Sequence, residues 1–130
     1  MKVKIYTEKE FERQLRKLSK KYRSMLDDYD AFLTGLEQDP FQGTSLGKGD
    51  RKVRMAIASK GKGKSGGARV ITYNLYQEGD SVIIDLLTIY DKGEISNISD
   101  EFISFLLDKR ENVYFPEKGC HLGTNRSDNE

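Results

Sequence analysis

Seven basic side chains, Arg51, Lys52, Arg54, Lys60, Lys62, Lys64 and Arg69, fall between Arg51 and Gln77 with no acidic residue among them. The whole chain holds 22 basic and 21 acidic residues, so this segment carries +7 and the remainder −6. A cationic stretch beside a mildly acidic body suits a polyanion, because phosphate contacts and displaced counterions supply affinity that does not depend on sequence. The competing reading is a solvated loop and strand, in which a residue such as Lys60 serves only to keep the loop in solution.

The glycines in this segment admit two kinds of phosphate chemistry. Ala58 to Ser65 reads A-S-K-G-K-G-K-S, one residue away from the phosphate-binding loop G-x-x-x-x-G-K-S, and Val82 to Asp85 resembles the acidic strand that accompanies it. That loop works only if a helix starts at its Lys-Ser, so that backbone amides and the positive end of the helix dipole face the phosphates. Here Gly66 and Gly67 follow, and then a β-branched alternating run, so nucleotide hydrolysis is set aside. The second reading is a β-hairpin tipped by a flexible basic loop, Gly61 to Gly67, whose glycines let backbone approach backbone and whose lysines follow a nucleic-acid strand. Arg69 stands at the start of the returning strand, anchored better than the loop lysines, although its parity matches Ile71 and Tyr73 and not the basic face of the preceding strand.

Those residues need a scaffold. Lys2 to Tyr6 forms a short first strand. Thr7 and Glu10 fit a capping box for a helix carrying Phe11, Leu15 and Leu18. A second helix places Met25, Tyr29, Phe32 and Leu36 on one stripe, widened by Leu26 and Leu33, and ends at Asp39-Pro40. Lys52 to Ala58 alternates Val53, Met55 and Ile57 with Lys52, Arg54 and Ala56, the period of a half-buried strand. Arg69 to Tyr76 forms the next strand, Glu78 to Asp80 a turn, and Val82 to Tyr90 a central strand apolar on both faces except at Asp85. A carboxylate in that setting needs a basic or backbone donor. Ser99 caps a last helix holding Phe102, Ile103, Phe105, Leu106 and Leu107. The expected order is β, two helices, three strands and a helix.

Length and composition place outer bounds. A chain of 130 residues builds one core, expected over residues 1–112, with residues 113–130 a polar, flexible tail. One third charged residues fits a soluble globular protein, and no apolar run reaches the roughly eighteen residues of a membrane span, which points to the cytoplasm. A single cysteine, Cys120, excludes an internal disulfide, and with the lone His121 it makes an incidental tail pair and no metal site.

K-V-R-M at Lys52 to Met55, G-K-G-K-S-G-G-A-R-V-I-T-Y at Gly61 to Tyr73 and L-L-T-I-Y-D-K-G-E at Leu86 to Glu94 together resemble the RelE/HigB toxins of bacterial type II toxin-antitoxin systems. The glycine-rich insertion is that of one HigB-like branch. The resemblance runs roughly from Phe11 to Leu107. It implies an α+β fold, in which an N-terminal strand and helical hairpin pack on a small antiparallel sheet with a C-terminal helix. It also implies a metal-independent endoribonuclease that cuts translating mRNA on the ribosome and is neutralised by a cognate antitoxin, with no cofactor. Lys52, Arg54 and Arg69 match basic strand positions of RelE-like members, and Lys92 matches the lysine after the last core strand. Gly93 stands where RelE itself places an arginine and Ser99 where it has a tyrosine, so Tyr90 and Glu94 are the expected stand-ins.

Metal-free RNA cleavage requires removal of the ribose 2′-hydroxyl proton, stabilisation of charge on the pentavalent phosphate and protonation of the leaving oxygen. The expected catalytic set is Arg54, Arg69, Lys92, Glu94 and Tyr90. Glu94, or a lysine whose pKa is lowered by its neighbours, takes the proton while the two arginines hold the phosphate. Lys52, Lys60, Lys62, Lys64 and Tyr73 form the RNA-binding set, with Tyr73 or Tyr90 stacking on a base. The plain alternatives are Tyr73 and Tyr90 as core aromatics and Glu94 as a surface acid. Two other functions fit the same elements: a ParE-like inhibitor of DNA gyrase, and a non-catalytic RNA- or ribosome-binding module. An antitoxin should cover the cationic surface with an acidic or amphipathic segment.

Overall fold

The computed structural model describes residues 2–77, 79–111, 114–115 and 120–121. Strand β1 (Lys2–Thr7) leads into helices α1 (Lys9–Lys21) and α2 (Met25–Gln38). Strands β2 (Thr44–Ser45), β3 (Asp50–Met55), β4 (Ala68–Gln77) and β5 (Ser81–Asp91) follow, and α3 (Asp100–Asp108) closes the main body. The sheet order is β1-β5-β4-β3-β2. Every neighbouring pair is antiparallel except β1 with β5, which run parallel. The α+β arrangement expected from the sequence is therefore present, with β1 joining the sheet as its parallel edge strand. Past Glu111, β6 (Tyr114–Phe115) pairs antiparallel with β7 (Cys120–His121); the rest of the expected tail lies outside the described residues.

Each face of the sheet has its own core. Phe11, Leu15 and Leu18 of α1 and Met25, Tyr29, Phe32 and Leu36 of α2 pack on Val53, Met55, Val70, Leu86 and Ile89. On the opposite face Ile71, Leu87 and Tyr90 pack against Ile103 and Leu106 of α3. Fully burying a residue of this size contributes about 1.5–3 kcal/mol relative to exposure, so both helical layers are held by apolar area. The α2 stripe is narrower than its pattern suggested, because Leu26 is 59% exposed while Leu33 still packs on the core.

The start of α1 differs from the expected capping box. Thr7 remains in β1, paired in register with Leu86, and its hydroxyl donates to Glu12 rather than serving Glu10. The N-cap position falls to Glu8, whose side chain makes no capping bond and instead accepts the backbone N–H of Glu111 at 2.9 Å. Sheet register fixes Thr7, and the need for an acceptor near α3 recruits Glu8. At α3 the expected cap forms: Ser99 Oγ accepts the N–H of Phe102 at 3.1 Å.

A register shift in β5 decides which side chains share a face. Ile71 pairs with Thr88 but Thr72 pairs with Leu86, leaving Leu87 as the extra residue of a bulge. Ile84, Leu86 and Ile89 consequently all meet α1 and α2, whereas Leu87 and Tyr90 meet the α3 side. β3 stops at Met55, and a single 3-10 turn, Ala58–Lys60, opens the glycine-rich loop. Gly61 and Gly63 adopt φ of 71° and 65°, the left-handed region that favours glycine. No helix follows Lys64-Ser65, as the rejection of a nucleotide-binding loop requires.

Candidate nucleic-acid interface

Antiparallel pairing sets Arg54 directly opposite Arg69, and Arg69 directly opposite Tyr90. Directly opposed residues share a face, so these three side chains form one row across β3, β4 and β5. The parity argument that set Arg69 apart from the basic face is thereby corrected: Arg69, Ile71 and Tyr73 lie on the same face as Lys52 and Arg54. Counting along a single strand could not show this, because the match depends on the register between strands.

The two arginines have different surroundings. Arg54 is exposed, and no hydrogen bond or ion pair engages its side chain among the described residues. Arg69 is 7% exposed, and its guanidinium donates to the carbonyls of Lys64 at 3.2 Å, Ala68 at 3.2 Å and Ser65 at 3.1 Å. It therefore ties the far end of the basic loop to β4. Gly67 seals that junction: an added Cβ would lie 2.2 Å from the Met55 carbonyl oxygen, so only glycine lets the loop return so close to β3.

Arg54, Arg69, Lys52, Lys64, Gln42 and Thr44 line an open cleft of about 330 Å³. Lys52 Nζ donates to Asn97 Oδ1 at 2.8 Å. Lys62 and Lys64 are exposed. Arg51 is turned away, donating to the carbonyls of Gln42 at 3.1 Å and Gly43 at 3.0 Å. Of the seven basic residues in the segment, Lys60 alone forms an ion pair among the described residues, 2.7 Å from Asp91. Among the described residues no carboxylate is in ion-pair contact with the cations that line the cleft.

Lys60 leaves the proposed RNA-binding group for a structural one. Asp91 accepts from Lys60, from the Tyr22 hydroxyl at 2.5 Å and from the Gly93 N–H at 2.9 Å. Burial alone would raise the pKa of Asp91, but these donors outweigh it and hold the carboxyl below its ordinary range. Glu94 turns toward α1 and pairs with Lys21, so it does not join the arginine row. Lys92 donates from Nζ to the Ser96 carbonyl at 3.0 Å, bracing the turn after β5, and its N–H bonds to Gly67 O at 3.0 Å.

Neither tyrosine offers a free ring. Tyr73 packs against the α3-side core, with the Arg110 guanidinium 4.6 Å from its centroid. Tyr90 is 6% exposed, and its hydroxyl oxygen is buried without a hydrogen-bond partner among the described residues. Burial pushes the Tyr90 phenol up, with the Arg69 charge pulling the other way, so it is a proton donor and not a base at neutral pH. Asp85 finds the expected donor in Arg110, whose Nε lies 2.9 Å from Oδ2.

Asp91, Tyr22, Asn97 and Gln42 enter the site without having been singled out from the sequence. Asp91 had a signal, an acid ending an otherwise apolar strand beside Tyr90; the other three come from distant elements and had none. No group of three or more His, Cys, Asp or Glu side chains could hold a metal among the described residues, and none of their helices is long and apolar enough to cross a membrane. No known protein-family model matches the chain.

Proposed function

We propose that this protein is an mRNA endoribonuclease of the RelE/HigB kind, the toxin of a toxin-antitoxin pair, acting in the cytoplasm on ribosome-bound message. The observation that carries the reading is the directly opposed Arg54 and Arg69 at a cleft whose cations have no carboxylate partners among the described residues. Two guanidinium groups on adjacent strands suit the doubly charged phosphorane of metal-free RNA cleavage. Arg54 binds the phosphate first, since nothing among the described residues engages its donors. Arg69 adds its remaining N–H groups. Lys52 and Lys64 orient the RNA or donate the proton to the leaving oxygen, and the ribosome supplies orientation of the strand. An antitoxin would neutralise the protein by laying an acidic segment over the same cleft.

The absence of a carboxylate from the cleft's lining, with Glu94 engaged by Lys21, favours one alternative, a module that binds RNA or the ribosome without cutting. Mapping the 3′ ends of an mRNA incubated with purified protein, with and without programmed ribosomes, separates the two. Cuts that appear only with ribosomes and leave cyclic phosphate ends support the nuclease; intact message together with salt-sensitive RNA binding supports the module.

A further inference from the structure

A second cleft shares Gln42, Arg54 and Lys64 with the cationic one. It lies between α2 and the end of β3 and encloses about 140 Å³. Its lining is largely apolar, with Ala31, Phe32 and Gly35 from α2 and Met55 from β3. Asp28 supplies a carboxylate, held in place by the Ser24 hydroxyl at 2.6 Å and the Ala58 N–H at 3.0 Å.

Gly35 keeps this slot open. After proline, glycine is the residue least suited to a helix interior, and Gly35 has no positive φ that would call for it. A Cβ at this position would meet only Gln42 Nε2, at 3.7 Å, so a larger side chain would grow into the slot and fill it. What the glycine provides here is space for something that is not part of the helix.

An apolar slot with polar groups at its edge, opening beside two exposed cations, has the chemistry of one nucleotide: a planar base inside and its phosphate on the cations. Single-stranded RNA is recognised in this way, through unstacked bases on apolar or aromatic surfaces with the backbone in a positive groove. We propose that the slot between α2 and β3 is a base-binding pocket, which takes an unpaired base of the RNA whose phosphate lies on Arg54 and Lys64. The pocket rests on the RNA reading of the neighbouring cleft and extends it from backbone binding to recognition of a base.

The test compares binding of a short oligoadenylate with that of an abasic ribose-phosphate oligomer of equal length and charge, by fluorescence anisotropy, for the wild-type protein and for Gly35→Leu, Ala31→Leu and Arg54→Ala. The wild-type protein should prefer the base-bearing strand by about tenfold or more, as expected for stacking one base. Gly35→Leu and Ala31→Leu should erase that preference while binding the abasic oligomer as before, and Arg54→Ala should weaken both. Leucine is a better helix former than the glycine at position 35 and close to the alanine at position 31, and thermal melting confirms that the variants are folded. Equal wild-type affinity for the two oligomers, or a preference that survives Gly35→Leu, overturns the pocket and leaves RNA binding standing. If the wild-type protein binds neither oligomer, both readings fall.

Discussion

Arg54 and Arg69 are directly opposed across β3 and β4, yet one is exposed and has no partner among the described residues while the other is 7% exposed and bonded to three carbonyls. Replacing them should have unequal consequences. Arg54→Ala should leave stability within about 0.5 kcal/mol and reduce RNA cleavage about a hundredfold or more, as removal of one charge-stabilising donor does. Arg69→Ala should also lower stability, by about 1–3 kcal/mol, because the buried Ala68 carbonyl and the part-buried Lys64 and Ser65 carbonyls lose their charged donor. Thermal melting run beside a cleavage assay checks both; equal stabilities would contradict the anchoring role of Arg69.

Asp91 should dominate the acid limb of stability. Its carboxyl titrates below the ordinary 3.8 in the folded state. The stabilisation it provides is therefore complete above the unfolded value and lost as pH falls through the folded one. Asp91→Asn should cost about 3 kcal/mol at neutral pH, the usual result of breaking a buried pair. The gap between variant and wild type should narrow below pH 3.8, as followed by denaturant melts across the acid range.

Asp85 has the opposite sign. Burial, and then the neighbouring Glu8 carboxyl, push it up to about 9 against the pull of Arg110. A carboxyl raised on folding favours the native state most below its unfolded value, 3.8, and that contribution declines as pH climbs toward about 9. Asp85→Asn imitates the protonated form and still accepts from Arg110. It should flatten the decline and melt at or above the wild-type temperature at pH 8. A variant that melts lower at every pH would count against a protonated Asp85.

Salt dependence measures how many cations meet phosphate. If Lys52, Arg54, Lys62 and Lys64 all do so, the slope of log affinity against log salt for a single strand should be about −3, and Lys64→Ala should reduce its magnitude by about 0.7. Lys60→Ala should leave the slope unchanged, because that ammonium is committed to Asp91. Anisotropy titrations at several potassium chloride concentrations give both numbers.

Periodicity within an element was readable from the chain: the stripes of α1 and α2, the strands, the Ser99 cap and the rejection of a nucleotide-binding loop all depend on residues a few positions apart. Relations between elements were not. The Arg54–Arg69–Tyr90 row needs two registers and a bulge, none of which alternation within one strand encodes. Lys60 reads as one of several loop lysines until Asp91, thirty-one positions on, is brought beside it. Tyr73 reads either as a core aromatic or as a base-stacking ring, and only the packing of α3 and Arg110 decides for the core. Composition alone suffices to mark the cationic segment; deciding which of its charges stay available requires the fold.

The extra residue at Leu87 makes a break in strand alternation a determinant of the cationic surface. Upstream of it, even-numbered positions of β5 point toward the helical hairpin, as Ile84 and Leu86 do; beyond it, odd-numbered Ile89 does so, and Tyr90 joins Arg69. Were β5 to keep its length and alternate without the bulge, Tyr90 would share the face of Leu86, and the arginine row would end on the aliphatic side chain of Ile89 with every lysine unchanged. Which chemistry faces a polyanion is thus written partly in where β5 breaks its alternation, at a position that itself touches neither arginine.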